Sequence, residues 1–112
     1  MKDEYFEACF INNIEEISNL LRKYKELINA TLLNEENGLH IASSCNYIDL
    51  AQLLINNKIN INKKDIFGRT PLMIACKKGN IKIVENLLSQ KNIYVNEEDN
   101  GGNTAAILGI FK

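Results

Sequence analysis

A spaced pattern that occurs twice most strongly limits what this chain can fold into. Residues 62–70 read N-x-x-D-x-x-G-x-T, and residues 96–104 repeat the pattern 34 positions later. A fixed period of about 20–50 residues indicates an array of one small unit whose copies bury a shared core by stacking. The function of such an array usually lies in the surface that stacking creates. The sequence therefore predicts a repeat protein with a binding surface.

Apolar residues with helical spacing extend the period backwards along the chain. The pattern in residues 79–88 recurs 33 positions earlier in 46–55, and a third copy lies 34 positions before that in 12–21. Its spacing of i, i+3, i+6 and i+7 places the apolar side chains on one face of an α-helix. Three copies of this face are present, and a further unit opens at Asp99 and reaches Lys112.

The repeated segment resembles the ankyrin repeat, whose unit is a β-turn followed by two antiparallel helices with the signature D-x-x-G-x-T-P-L-H-x-A and a later V-x-x-L-L. Residues 32–55 match it less well than residues 65–88, and residues 1–29 keep only the helix pair. A tetratricopeptide array would explain neither the T-P-L segment nor the repeated turn. The best unit carries these signature residues: Asp65, Gly68, Thr70, Pro71, Leu72, Ala75, Gly79, Val84, Leu87 and Leu88.

The resemblance covers essentially the whole chain and implies an all-α fold. We expect one ankyrin-repeat solenoid of stacked helix-turn-helix units with β-turn tips over residues 1–112. The expected divisions are an N-terminal helix pair in 1–29, repeats in 30–62 and 63–96, and a truncated repeat in 97–112.

The residues around the first helix of the best unit have local roles that do not depend on the family. Thr70 can cap the helix, and Pro71 then stands at the first helical position, where its missing N–H costs nothing. Gly68 permits a positive φ in the preceding turn, and the Asp65 carboxylate can bond nearby backbone. Gly79 can end the helix in the left-handed conformation.

The unit before it uses less regular residues for the same purposes. Asn37 can cap as Thr70 does, whereas Gly38 is a weaker first residue than proline. Asn46 tolerates the left-handed conformation that a C-terminal cap needs.

No residue pattern predicts catalysis, a cofactor or a metal site. His40 is the only histidine and falls on the family's structural histidine, whose ring typically bonds neighbouring turns. No cysteine or histidine spacing fits zinc, and no glycine-rich loop fits a phosphate. An enzyme would need a fused catalytic domain outside these residues.

The three cysteines cannot all pair with one another. Cys9 and Cys76 follow the alanine of the first helix in two different units, which indicates small buried packing, and Cys45 could be more exposed. The start of the chain lacks the basic-then-apolar pattern of a signal peptide, and no run of 18 apolar residues suggests a membrane span. Free thiols without a signal peptide favour an intracellular location, with the cytoplasm as the expected compartment, and the missing apolar run predicts no membrane partner.

Charge is distributed unevenly although the net charge is only −1. Residues 1–37 carry eight acidic and four basic side chains, whereas residues 38–91 carry three acidic and eight basic ones. The basic block is either a solvated face or a patch that steers an acidic partner. Binding to nucleic acid is not expected, because the pI is about 5.8 and no aromatic residues interleave with the lysines.

The resemblance implies that a protein partner meets the concave face, made of turn tips and the exposed side of the first helices. Ile66 and Phe67 stand out, because a turn tip is normally polar and an exposed aromatic side chain is a candidate anchor. The alternative for Phe67 is that it folds back on a neighbouring tip. The candidate partner-binding residues are Leu33, Asn34, Glu36, Ile66, Phe67, Arg69, Lys77 and Lys78. Equivalent positions in the earlier units fall on Ser44, Cys45, Phe10 and Ile11, and the alternative for Phe10 and Ile11 is packing against the next helix.

The last unit is incomplete. Residues 104–112 provide one helix without its partner helix, so Ile107, Leu108, Ile110 and Phe111 would leave apolar surface bare, whereas an array needs a polar terminal cap. Either the chain is part of a longer array or another molecule covers this end. Self-association through the open C-terminal end is one such outcome, and fraying from about Asp99 is another.

These expectations together favour a protein–protein interaction module of the adaptor or inhibitor type. The competing interpretation is a structural or regulatory ankyrin segment of a larger multidomain protein. An open reading frame that ends at Lys112 would favour the first interpretation.

Overall fold

The computed structural model describes the backbone of residues 1–110 and contains no strand in that range. This confirms the all-α expectation. Phe111, which the sequence places on the open end, lies outside the described residues, and so does Lys112. The helices are α1 Lys2–Phe10, α2 Ile14–Lys23, a 3-10 helix Lys25–Asn29, α3 Gly38–Cys45, α4 Ile48–Asn56, α5 Pro71–Lys78, α6 Ile81–Leu88 and α7 Ala105–Ile110.

The helices stack in two layers. Helices α1, α3, α5 and α7 contact one another in that order, and α2, α4 and α6 form a parallel series. Each first helix packs on the second helix of its own pair, as α3 does on α4. Leu39, Leu50, Leu54, Leu72 and Leu87 are buried between the layers. The core is therefore a continuous strip shared by successive helix pairs, as expected for stacked repeats.

Helix α5 begins and ends at the residues that the sequence predicts. The Thr70 hydroxyl accepts the backbone N–H of Met73 at 3.3 Å, and Pro71 is the first helical residue. Gly79 ends the helix with a φ of 73°. Helix α3 follows the same plan, because the Asn37 side chain caps its start and Asn46 ends it in the left-handed conformation.

Left-handed backbone recurs at the same place in each turn tip. Gly68 and Gly102 have φ values of 77° and 81°, and Glu35 stands at the matching position with a φ of 65°. A side chain in this region is unusual, so Glu35 shows that the turn geometry is retained where the glycine is not. The backbone therefore repeats more faithfully than the sequence does.

Two features differ from the sequence analysis. The 3-10 helix after α2 was not expected, and it buries Leu27 and Ile28. Cys9 is buried as predicted, but the prediction for Cys76 was wrong, since its side chain is only partly buried. Gly109 of α7 lies over Cys76, and a Cβ built on this glycine would lie 3.6 Å from the Cys76 Cβ.

Candidate partner-binding face

The turn tip of residues 65–69 is organised by one carboxylate. Asp65 Oδ1 accepts the backbone N–H groups of Phe67 and Arg69, each at 2.9 Å, and the Asp65 N–H donates to the Arg69 carbonyl. Asp99 does the same for the next tip with Gly101 and Asn103. The hydrogen bonds from Asn103 hold the pKa of the Asp99 carboxyl below its usual value. Each tip is thus pre-organised before any partner binds.

Backbone hydrogen bonds link the tips of successive pairs into a row. The Ile66 N–H donates to the Asn34 carbonyl at 2.9 Å, and the Asn100 N–H donates to the Phe67 carbonyl at 3.0 Å. Leu33, at the end of this row, is fully exposed, and Ile66 is about half exposed. Two apolar side chains, Leu33 and Ile66, therefore face solvent from a row whose backbone groups bond to one another.

Arg69 holds Phe67 in place at the centre of the row. Its guanidinium carbon lies 5.0 Å from the centre of the Phe67 ring, within the range of a cation–π contact. The same guanidinium contacts Asp65 at 2.9 Å and Glu36 of the preceding tip at 3.8 Å. Phe67 remains 54% exposed. It is therefore held against Arg69 of its own turn and still presents an apolar surface to solvent.

The cations of the turn tips are paired with acidic groups, whereas two lysines at the end of α5 are not. Lys63 contacts Glu35 at 3.1 Å, and Lys64 contacts Glu97 at 3.4 Å. Lys77 and Lys78, in the last turn of α5, are exposed and form no ion pair with any residue that the structure describes. Of the cations on this side of the molecule, the two at the end of α5 therefore keep their charge free for a partner, whereas those at the tips are paired.

A groove of about 450 Å³ lies between the tips and the first helices. Its lining combines the salt-bridged Glu36 and Arg69 with the two free lysines, so that the polar groups surround an apolar floor. We call this surface the groove face; its lining residues are Glu36, Ser44, Arg69, Met73, Ile74, Lys77, Lys78, Asp99 and Leu108.

The structure brings part of the predicted set together at the groove face. Glu36, Arg69, Lys77 and Lys78 line it directly. Leu33, Asn34, Ile66 and Phe67 belong to the adjoining row of tips, where Asn34 uses its side-chain oxygen to accept the Glu36 N–H. The lining residues Met73 and Leu108 were not predicted, because a buried helix position and a degenerate repeat give no local signal for a groove.

His40 has a structural role, as the sequence predicts. Its Nε2–H donates to the Arg69 carbonyl at 2.9 Å, so Nδ1 is free to accept the Asn37 N–H at 3.0 Å. The ring is completely buried, and burial lowers its pKa below the usual value despite the opposing hydrogen bond to Arg69. His40 therefore ties α3 to the tip that carries Arg69.

Comparison with known proteins agrees with this architecture. The model of the family described as "Ankyrin repeats (3 copies)" matches residues 6–99. The chain belongs to the ankyrin repeat family. Ankyrin repeats are generally protein–protein interaction modules, and the fold is a non-catalytic interaction fold. The unit boundaries expected from the sequence stay a prediction.

Relatives of this ankyrin-repeat chain occur in diverse proteins. The chain is 31% identical over 96 residues to the probable 26S proteasome regulatory subunit p28 of Saccharomyces cerevisiae, covering 85% of this chain and 42% of that protein. It is 39% identical over 77 residues to human transient receptor potential cation channel subfamily A member 1, and the match covers 69% of this chain and 7% of that protein. Human rabankyrin-5 is 33% identical over 66 residues, and the match covers 59% of this chain and 6% of that protein. The chain thus spans less than half the length of these relatives.

Two further observations concern the described residues alone. None of the helices within residues 1–110 has the length and apolar character needed to cross a membrane. No group of three or more histidine, cysteine, aspartate or glutamate side chains in this range is arranged to hold a metal ion.

Proposed function

We propose that this ankyrin-repeat chain binds a protein partner through the groove face and the adjoining row of tips, as an adaptor or inhibitor. The observation that carries the proposal is the pair Lys77 and Lys78, which are exposed without acidic partners beside a groove with an apolar floor. Other cations near the tips are neutralised within the chain. A segment with acidic and apolar side chains would complement this surface in charge and in polarity.

Phe67 supports the same proposal. An exposed aromatic side chain loses little conformational entropy on binding when it is already held in place, and Arg69 holds this ring. Aromatic side chains and arginines are enriched among the residues that dominate binding energy. The tip therefore offers an anchor, and the lysines offer electrostatic steering toward it.

Photo-crosslinking tests the assignment of the face. A photoreactive phenylalanine analogue replaces Phe67 in one variant and Asn57 in a control, since Asn57 lies on the opposite side, between α2 and α4. We expect the Phe67 probe to crosslink a partner from an extract of the source organism and the Asn57 probe to leave it unlabelled. Labelling from Asn57 alone would move the site to the second helices.

The second candidate is a structural or regulatory segment of a larger protein, with an intracellular location proposed for both candidates. It is favoured by the apolar surface that α6 and α7 leave exposed. A native reading frame that continues beyond Lys112 with further repeats would favour it. Self-association through this end is the other partner expected from the sequence.

A further inference from the structure

A side-chain bridge joins α4 to α6 on the side opposite the groove face, and α2 and α4 lack its counterpart. The Asn86 amide donates to Gln52 Oε1 at 2.8 Å, and the Gln52 amide donates in turn to Asn56 Oδ1 at 2.7 Å. By the repeat spacing of 34 and then 33 residues, Ser18 is equivalent to Gln52 and Leu53 is equivalent to Asn86. Leucine has no hydrogen-bonding group, so this pair cannot form the bridge. The groove between α2 and α4 therefore lacks the side chains that close the next one.

The open groove forms a pocket of about 420 Å³. Sites for small molecules typically have volumes of roughly 300–1,000 Å³. Leu21 and Ile28 are buried and Leu53 is partly buried, so these three side chains form an apolar floor. The 3-10 helix that follows α2 supplies Ile28. We call this cavity the second-helix pocket; it is defined by Ser18, Leu21, Arg22, Lys25, Ile28 and Leu53.

Two cations stand at the rim of the second-helix pocket. Arg22 and Lys25 are exposed, and neither forms an ion pair within the part of the chain that the structure describes. Arg22 Nη1 donates to Asn19 Oδ1 at 3.1 Å. This bond orients the guanidinium and leaves most of its five N–H groups free. The rim therefore carries two positive charges that an anionic ligand could neutralise.

The repeat itself does not require these cations. The next unit has the neutral residues Asn56 and Ile59 at the positions of Arg22 and Lys25. Helix α4 still packs on α6 in that unit. Arg22 lies in the last turn of α2, where a cation interacts favourably with the helix dipole, but Lys25 lies beyond this helix. The pair of positive charges is therefore a feature of the second-helix pocket and not of the stack.

We propose that the second-helix pocket binds a small carboxylate with an apolar body, which places the carboxylate against Arg22 and Lys25 and the body over the apolar floor. The planar guanidinium fork of arginine matches the geometry of a carboxylate. The C-terminal end of α2, which supplies Arg22, carries the negative end of the helix dipole. A singly charged carboxylate therefore fits this site better than a doubly charged phosphate. The pocket is separate from the groove face, so its test does not depend on the proposed function.

The probe is phenylbutyrate, titrated into the full chain and followed by NMR. We expect saturable shifts of the methyl resonances of Leu21, Ile28 and Leu53, which form the floor of the pocket. Two matched compounds separate the parts of the ligand. Butyrate lacks the apolar body and phenylbutanol lacks the charge, so each should bind at least about tenfold more weakly than phenylbutyrate.

Variants of the chain separate the charges from the cavity. Arg22→Gln/Lys25→Gln should weaken phenylbutyrate binding at least about tenfold, because it removes both positive charges. Lys82→Gln is the matched control, since Lys82 is an exposed lysine of α6 outside the pocket. Ser18→Gln/Leu53→Asn introduces the pair that bridges α4 and α6, so it should close the pocket and weaken binding by a similar factor with both cations in place.

Four results would overturn the proposal. The first is no saturable binding of phenylbutyrate, and the second is equal affinity for phenylbutanol, because the cations would then have no part in recognition. The third is binding that survives Arg22→Gln/Lys25→Gln in a chain whose circular dichroism is unchanged. This variant alters only exposed side chains, so it decides the matter even if Ser18→Gln/Leu53→Asn fails to fold. The fourth is tighter binding of phenylethyl phosphate than of phenylbutyrate, which would assign the pocket to a phosphate ligand.

Discussion

Tyr5 lies directly against the start of the next first helix at Gly38. A Cβ built on Gly38 would lie 2.9 Å from the Tyr5 hydroxyl oxygen and 3.0 Å from Leu54 Cδ1. Tyr5 is completely buried, at the position that leucine holds in α3 and α5, so its larger side chain reaches across the space between the two helices. The glycine at the first helical position therefore leaves room for the tyrosine.

This relationship predicts that Gly38→Ala destabilises the chain by about 1–3 kcal/mol, as overpacking of a close-packed core does. The Tyr5 hydroxyl adjoins the Cys9 thiol but has no hydrogen bond of ordinary geometry within the described residues, so Tyr5→Phe alone should change stability by less than about 1 kcal/mol. Chemical denaturation gives the free energy of unfolding of Gly38→Ala, of Tyr5→Phe and of the double variant. The Gly38→Ala cost should fall by about 1 kcal/mol in the Tyr5→Phe background, and an unchanged cost would show that the hydroxyl is not the obstacle.

Adjacent leucines in α6 provide a matched test of the stack. Leu87 is completely buried and Leu88 is exposed. Leu87→Ala should lower the free energy of unfolding by about 2–5 kcal/mol, and Leu88→Ala by less than about 1 kcal/mol. Thermal or urea unfolding followed by circular dichroism measures both costs. Equal costs for the two substitutions would mean that α6 is rotated about its axis and does not bury Leu87 in preference to Leu88.

Because the His40 ring is buried, we expect the folded chain to lose stability in mildly acidic solution. Burial lowers the pKa of the native imidazole, whereas the unfolded chain takes up a proton near pH 6.5. As pH falls below about 6.5 the unfolded state binds more protons than the native state, so stability decreases until pH passes the lowered native pKa. The slope for one group is at most about 1.4 kcal/mol per pH unit.

His40→Met supplies the control, since Met73 holds the equivalent position in α5 without a titrating ring. The variant should be less stable at pH 7 by about 1–3 kcal/mol, because it leaves the Asn37 N–H without its acceptor. Its stability between pH 5 and 7 should depend less on pH than that of the unchanged chain. Equal pH dependence in both proteins would assign the effect to other groups.

The thiols should react in a fixed order. Cys45 is exposed, Cys76 is partly buried, and Cys9 is buried with its pKa raised to about 12 by burial. Because the thiolate is the reactive form, Cys45 should be alkylated first and Cys9 last. Mass spectrometry of the native chain after timed alkylation gives the order. Rapid modification of Cys9 would show that α1 opens on the timescale of the reaction.

The sequence predicted those parts of the fold that depend on local chemistry. Thr70, Pro71 and Gly79 define α5 by rules that apply within a few residues, and the structure places each as expected. Gly38 was interpreted only as a weak first residue of α3. The space that this glycine leaves is filled by Tyr5, which lies 33 positions away along the chain. Asn62 was recognised as part of a repeated pattern, but its bonds to the loop of residues 92–94 require the stacked structure.

Part of the candidate site's membership was predictable, but the interactions among its members were not. Repeat register identified Phe67, Arg69, Lys77 and Lys78. It could not show that Arg69 is engaged by Asp65, Glu36 and the Phe67 ring while the two lysines are left without acidic partners. Pairing across neighbouring tips depends on tertiary geometry. The choice of faces for binding stays a prediction until a partner is in hand.

Binding affinity for a partner isolated from the source organism tests the central claim most directly. Calorimetry should compare the unchanged chain with Phe67→Ala, with Lys77→Glu/Lys78→Glu, and with Arg22→Glu/Lys25→Glu on the opposite side as the matched charge control. We expect Phe67→Ala to cost about 1 kcal/mol or more, and the Lys77/Lys78 reversal to slow association strongly at low salt, with the control close to unchanged. Intact affinity in the first two variants together with lost affinity in the control would contradict the account.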